Sequence, residues 1–252
     1  MLTSQEQERY ARQIMMPELG EAGQETLKRS RVLVIGAGGL GSPAAYYLAA
    51  AGVGTIGIAD GDTVELSNLQ RQILHKESRL GQNKAVSAAK SLHGLNAQVH
   101  VQTYSQFMDG AHLRQALPDY DIVIDATDQL ENKFLINDVC VSAEKPFVHG
   151  GITGFSGQVM TYVPEKGPCY RCIFGEVPED NAPAPIPVIG VTAGIIGTIQ
   201  AAEAIRYLLG IPSLLTGKLL VLDGLRMQFR TVPFPHVSEH CPLHTRKGVT
   251  DL

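Results

Sequence analysis

The chain has 252 residues, 44% hydrophobic and 18% charged, enough apolar material for a substantial core as one large domain or two small ones and too much for a disordered chain. Its formal charge of −4 leaves no basic footprint for nucleic acid or an anionic membrane, so neither is expected as a partner. No apolar run approaches the ~20 residues needed to span a bilayer, and the polar start MLTSQEQERYARQ is no secretory signal, which points to a cytoplasmic protein. In that reducing compartment the 4 cysteines read as thiols or metal ligands rather than disulfides.

Residues 1–30 predict two short helices that break near MMPELGEAG, with Tyr10, Ile14 and Leu27 as apolar positions. Strand and helix then alternate. RVLVIG, TIGIAD, AQVHVQTY and DIVIDAT are expected strands, and Leu40–Ala51, Gln82–Leu95, Ala111–Leu117 and Gln129–Glu144 the helices between and after them. That order predicts an α/β, Rossmann-like nucleotide-binding fold with a mainly parallel sheet. PFVHGGI and GQVMTYVP follow as strands joined by a Gly-rich hairpin, so the sheet is expected to become mixed in its C-terminal half. The stretch 175–190 carries Pro178, Pro183, Pro185 and Pro187 and reads as an exposed loop. An apolar helix, Thr192–Leu209, precedes a last strand pair, KLLVLDG and MQFRTVPF. Apolar nearly all round, that helix is expected in the core or at a subunit contact.

The chemistry begins at Gly36-x-Gly38-x-x-Gly41, between the first strand and its helix. The first glycine permits the bend, the second lets backbone amides approach phosphate, and the third lets helix and strand pack closely. This pattern alone fits NAD, FAD, ATP or a sulfonium cofactor. Asp60, at the end of the second strand, suits ribose hydroxyls and fits NAD and ATP equally. The next residues discriminate: Arg71 and Lys84, with Asn68 beside them, supply more positive charge than a dehydrogenase needs, whereas a triphosphate losing pyrophosphate carries negative charge that they would neutralise. ATP is therefore the expected nucleotide. Asp125 and Asp128, at the carboxyl edge of the fourth strand, are candidates for Mg²⁺, or for bracing a turn and capping a helix.

At these residues the sequence closely resembles the ThiF, MoeB and HesA family, bacterial relatives of ubiquitin-activating enzymes. The matching stretches are RYARQIMMPELGEAGQETLKRSRVLVIGAGGLGSP, DGDTVELSNLQRQ, GQNKA, DATD, CYRC and GTIQAAEAIRYLLG, which cover nearly the whole chain. The resemblance implies one adenylation domain over 1–252, with helices in 1–30, a nucleotide-binding core in 31–150 and a mixed sheet with a zinc site in 151–252. It implies ATP-dependent adenylation of the C-terminal Gly-Gly carboxylate of a small ubiquitin-like sulfur carrier, later converted to a thiocarboxylate by a persulfide donor. Carried over by position, Gly36, Gly38, Gly39, Gly41 and Gln70 meet ATP, Asp60 the ribose, Asn68, Arg71 and Lys84 the phosphates, and Asp128 the magnesium. The family also dimerises, and Arg12 in RYARQ matches an arginine that reaches the partner's ATP. The rival adenylation substrate is a small-molecule or tRNA-borne carboxylate.

Two departures stand out. The family's zinc site uses two C-x-x-C pairs; here Cys169 and Cys172 form the first, but the second reads HCPLH, so Cys241 and His244 are expected to complete a Cys₃His site, with His240 as the alternative fourth ligand. Cys140, in an apolar helix, reads as packed core. Several relatives also carry a cysteine in the loop before the apolar helix. Here that loop has none, so adenylation without a covalent carrier adduct is expected.

Overall fold

Side chains alternate across a strand, and along Arg31–Ile35 (β1) Val32 and Val34 enter one hydrophobic cluster while Leu33 and Ile35 enter another. Both faces are thus buried under helices, as a central parallel strand requires. The computed structural model describes residues 1–177 and 187–245. Beside β1 the strands are β2 (Thr55–Ala59), β3 (His100–Tyr104), β4 (Ile122–Asp125), β5 (Phe147–Thr153), β6 (Ser156–Tyr162), β7 (Lys218–Asp223) and β8 (Gln228–Pro233). They form one sheet in the order β3-β2-β1-β4-β5-β6-β7-β8. The pairs from β3 to β5 are parallel and those from β5 to β8 antiparallel. The expected parallel sheet with an antiparallel extension is present.

The helices are α1 (Ser4–Ile14), α2 (Gly20–Arg29), α3 (Gly41–Ala51), α4 (Lys84–Leu95), α5 (Gly110–Ala116), α6 (Leu130–Ser142), α7 (Tyr170–Phe174), α8 (Gly190–Leu208) and α9 (Pro242–Thr245). Residues of α3, α4 and α8 complete the cluster on the Val32 face, and those of α5 and α6, Cys140 included, the cluster on the Leu33 face. Gly57 in β2 follows from this packing, because a β-carbon there would strike the ring of Tyr120. The apolar α8 lies against α3, β5 and β6, which accounts for its buried Ala193, Ile196, Ala201 and Ala204.

Two expectations are adjusted. β3 begins at His100 rather than at residue 97, because the Asn96 side chain takes the Gln98 amide and turns the chain first. The one-turn helices α7 and α9, too short for a periodic pattern, wrap the two cysteine-bearing motifs. Most of the proline-rich stretch, 178–186, lies outside the described residues.

The N-terminal helices close the carboxyl end of α3, where backbone carbonyls lack helical partners. Asn96 Nδ2 donates to the Ala49 carbonyl at 2.9 Å and to the Tyr10 hydroxyl at 2.8 Å. Gln24 and Gln13 donate to Ala51 at 2.9 and 3.1 Å. The glycine turn sits at the other end of α3, so 11 residues at 1.5 Å each put roughly 16 Å between this cap and the turn. Among the described residues, no helix is long and apolar enough to cross a membrane.

Candidate active site

The turn between β1 and α3 is possible only with glycine at two places. Gly36 has φ +99°, and a β-carbon there would lie 2.6 Å from the Ala126 carbonyl oxygen; one at Gly41 would overlap the carbonyl oxygen of Gly36. The turn is therefore pressed against the end of β4. Gly39 faces α8, where an added β-carbon would sit 3.2 Å from that of Ala193. Gly38 is open except for the side chain of Gln72.

Ala37, within this turn, is held at both ends. Its N–H donates to Asp60 Oδ2 at 2.8 Å, and its carbonyl accepts from His75 Nε2 at 2.9 Å. Because a carbonyl only accepts, Nε2 carries the ring proton, and Nδ1 accepts from the Ser87 hydroxyl at 3.0 Å. Burial pushes the His75 pKa down against the Ala37 bond, which keeps the ring neutral. Burial raises the Asp60 carboxyl above its ordinary value, opposed by the Ala37 amide and the Lys84 charge.

Beside the turn lies a cavity of about 260 Å³. Asn68, Arg71, Lys84 and Asp128 line it, with Asp62, Glu65 and Gln72. Four of the predicted phosphate and magnesium residues, spread over sixty positions of sequence, are thus brought together. Lys84 opens α4, where Asn83 caps the helix by accepting the Val86 amide, and its Nζ pairs with Asp62 at 3.0 Å. Asn68 is buried, its Oδ1 accepting the Glu65 amide at 3.1 Å. Arg71 donates to the Ser67 carbonyl at 3.1 Å. Gln70 is exposed and does not line the cavity; the glutamine that does is Gln72, two residues on, at the end of the same motif. A larger groove of about 940 Å³, lined by Arg29, Asp121, Lys145 and Tyr207, lies at the opposite ends of the parallel strands and holds none of the predicted phosphate, magnesium or zinc residues. The predicted phosphate and magnesium residues gather at the smaller cavity.

The two aspartates of DATD divide their roles. Asp125 is buried and braces the turn: it accepts the Thr127 amide and hydroxyl at 3.1 and 2.7 Å, His149 Nδ1 at 2.8 Å, and Lys133 Nζ at 3.4 Å. Burial alone would raise its carboxyl, but the Lys133 ammonium and His149 outweigh that and hold it at about 2. Lys133 also donates to the Thr127 carbonyl at 2.6 Å and the Gly150 carbonyl at 2.8 Å. Asp128 is exposed in the cavity wall, and the N-cap of α6 is its neighbour Gln129. No ion pair engages Asp128 among the described residues, so its carboxylate is available to a hard cation such as Mg²⁺.

Arg12 is exposed in the last turn of α1, beside Gln13, which donates to Ala51 at the carboxyl end of α3, and it does not line the cavity.

A second site joins distant segments. Ligand atoms of Cys169, Cys172, Cys241 and His244 all lie within 4.8 Å of one another. The Cys169 sulfur is 3.8 Å from that of Cys172 and 3.7 Å from that of Cys241. Zinc–sulfur bonds of ~2.3 Å at tetrahedral angles require sulfurs ~3.8 Å apart. His244 Nε2 is buried with no hydrogen-bond partner, as a nitrogen awaiting a metal would be. Hydrogen bonding with Cys169 lowers the Cys172 thiol to about 5, towards the thiolate that binds metal. The cluster could hold zinc, and His240 is exposed outside it. Arg171, between the first two cysteines, ties it to α6 through Asp138 at 2.6 and 2.7 Å.

Comparison with known proteins places this geometry. Residues 10–243 match the ThiF family. The chain is 44% identical over 251 residues to the SAMP-activating enzyme E1 of Haloferax volcanii, covering 97% of this chain and 91% of that one. It is 45% identical over 234 residues to the adenylyltransferase and sulfurtransferase MOCS3 of Culex quinquefasciatus, where it spans 92% of this chain but only about half, 53%, of the relative. Among solved structures, E. coli MccB with ATP superposes with a TM-score of 0.78 at 25% identity, over 87% of this chain and 68% of that one. MccB with MccA-N7isoASN gives 0.83 at 24% identity over 93% and 74%, a likeness of fold. With the family match running through the glycine turn, the cavity and the three clustered cysteines, the chain belongs to the ThiF family of adenylyltransferases.

Proposed function

We propose that the chain adenylates the C-terminal Gly-Gly carboxylate of a small ubiquitin-like sulfur carrier. The observation that carries this reading is the gathering of Asn68, Arg71, Lys84 and Asp128 around one cavity beside a glycine turn. A carboxylate oxygen of the carrier attacks the α-phosphorus of ATP in line, the bond from that phosphorus to the bridging oxygen breaks, and pyrophosphate leaves. No general base is needed, since the carboxylate is already ionised at neutral pH. Lys84 and Arg71 neutralise charge on the departing phosphates, Asn68 and the turn amides orient them, and Asp60 takes the ribose while it fixes Ala37. Asp128 is the residue to hold Mg²⁺, which when bound adds positive charge against the phosphates.

Arg12 acts in trans. Its neighbour Gln13 bonds the carboxyl end of α3, opposite the end that carries the glycine turn, and the family resemblance supports a homodimer in which Arg12 serves the partner subunit's cavity. Cys169, Cys172, Cys241 and His244 hold a structural zinc ion. With no cysteine between Gly175 and Gly190, the activated carrier leaves as the acyl adenylate, to be met by a sulfur nucleophile from a persulfide protein.

The test is ATP–pyrophosphate exchange with a panel of carriers ending in Gly-Gly, each beside a form lacking the last glycine. Exchange that requires the intact tail is expected. ATP binding with no exchange on any carrier would turn the assignment to a small-molecule or tRNA-borne carboxylate.

A further inference from the structure

The proposed chemistry makes no use of His149, an imidazole on β5 with no exposed surface. Burying such a ring is costly unless it is hydrogen-bonded, so its partners indicate what it serves. His149 stands beside Asp125 in the register of β4 and β5, and its Nδ1 lies 2.8 Å from Asp125 Oδ2. A carboxylate only accepts, so Nδ1 carries the proton and Nε2, 3.5 Å from Gln158 Nε2, is the acceptor. The other oxygen of Asp125, Oδ1, holds the amide and hydroxyl of Thr127, the residue before Asp128. Two hydrogen bonds thus separate the ring from the backbone that presents Asp128.

The same ring rests on the helix of the cysteine cluster. Its centroid is 4.6 Å from that of Tyr170 and 6.1 Å from that of Phe174. The short α7 is two-sided: Cys169 and Cys172, three positions apart, join Cys241 and His244, while Tyr170 and Phe174, four apart, stack on each other at 4.4 Å and on His149. Tyr170 is itself buried, with its amide fixed on Asn137 Oδ1 at 2.8 Å. In a close-packed interior a shift of Cys169 carries Tyr170 with it and is felt at His149. We infer that His149 is a positioning residue for the Asp125–Asp128 turn, held there through Tyr170 by the zinc-loaded cluster, so that zinc occupancy and affinity for ATP with Mg²⁺ are linked. The inference rests on the proposed zinc and Mg²⁺ sites and adds a connection between them.

A positioning residue and a plain core residue differ in what their loss does to Mg²⁺. In zinc-loaded protein, His149→Leu should raise the Mg²⁺ concentration that half-saturates ATP binding about 10-fold, the scale of losing a partner just outside a metal's own ligands, with adenosine affinity unchanged. His149→Asn, whose side-chain amide can take the place of Nδ1–H, should recover most of that loss. Tyr170→Leu leaves all four zinc ligands in place and should shift the Mg²⁺ midpoint several-fold in the same direction with zinc retained. Cys241→Ser, which loses zinc, should shift it too, and adding His149→Leu should bring no further rise, as two changes on one route require. Calorimetric titration with ATP at stepped Mg²⁺, beside zinc content and Tm, reads these quantities. A lower Tm with an unchanged Mg²⁺ midpoint in His149→Leu overturns the positioning role, and additive rises in the double variant overturn the link to the cluster. Should either variant fail to fold, an unchanged midpoint in Tyr170→Leu overturns the inference. Wild-type protein that binds ATP without regard to Mg²⁺, or that carries no zinc, overturns the functional reading itself, a result distinct from the others.

Discussion

His75 Nε2 lies 2.9 Å from the carbonyl oxygen of Ala37, so a buried neutral ring holds the phosphate turn in place. Unfolded, such a ring titrates near 6.5; folded, burial lowers its pKa, and the unfolded chain binds the proton first. Stability therefore falls as pH drops below about 6.5, by at most ~1.4 kcal/mol per pH unit for this group. His149, also lowered by burial, acts in the same direction. Urea unfolding at pH 7.5 and 5.5 should show a smaller acid loss in His75→Gln than in the wild type; equal losses would exclude the assignment.

Lys133 is the most exposed to failure of the buried groups. Its ammonium joins Asp125, Thr127 and Gly150, and Lys133→Met leaves the Asp125 carboxylate buried with one fewer counter-charge, a loss of about 3–5 kcal/mol. The same change loosens the turn that presents Asp128. We expect a lower Tm together with a higher Mg²⁺ requirement for exchange; a Tm within a degree of wild type would contradict the role.

Arg12 and Lys84 should complement. Arg12→Ala and Lys84→Met homodimers are each expected to lose exchange by at least about 100-fold, the scale of lost charge stabilisation at a transition state. Equal mixing after subunit exchange should restore about a quarter of wild-type activity, because half the dimers then carry one intact site. No recovery, with mixed dimers demonstrated, would place Arg12 in its own subunit's site.

Metal content separates the two histidines. His240→Ala should keep one zinc per chain, and Cys241→Ser or His244→Ala should lose it, with a fall in Tm of several degrees that chelator treatment of the wild type reproduces. Zinc retained in His244→Ala and lost in His240→Ala would reverse the assignment.

Much of this was readable from the chain because local rules and tertiary demands agree. VLVI is a continuous apolar run flanked by a glycine turn, and β1 with its two buried faces follows; Asn68, Arg71, Lys84 and Asp128 sit in short motifs whose residue types state their chemistry. What was hidden depends on pairs formed across the fold. Gln70 and Gln72 are equivalent as letters, and only the one-turn helix at Leu66–Asn68 settles which of them faces the cavity. Asp125 reads equally as a ligand or as a turn brace until His149 and Lys133 arrive from two other elements to claim it. The second zinc pair was legible as HCPLH, but choosing between its histidines needed the turn of α9.

The Cys/His cluster joins residues 169–172 to residues 241–244, so everything between belongs to a ring closed by the metal once zinc is bound. A single backbone cut within that ring would divide the chain without releasing either piece: β6, outside the ring, stays paired with β7, inside it, and the cluster grips both ends. Protease nicks there should be visible on a denaturing gel yet silent in solution, until a chelator opens the clasp.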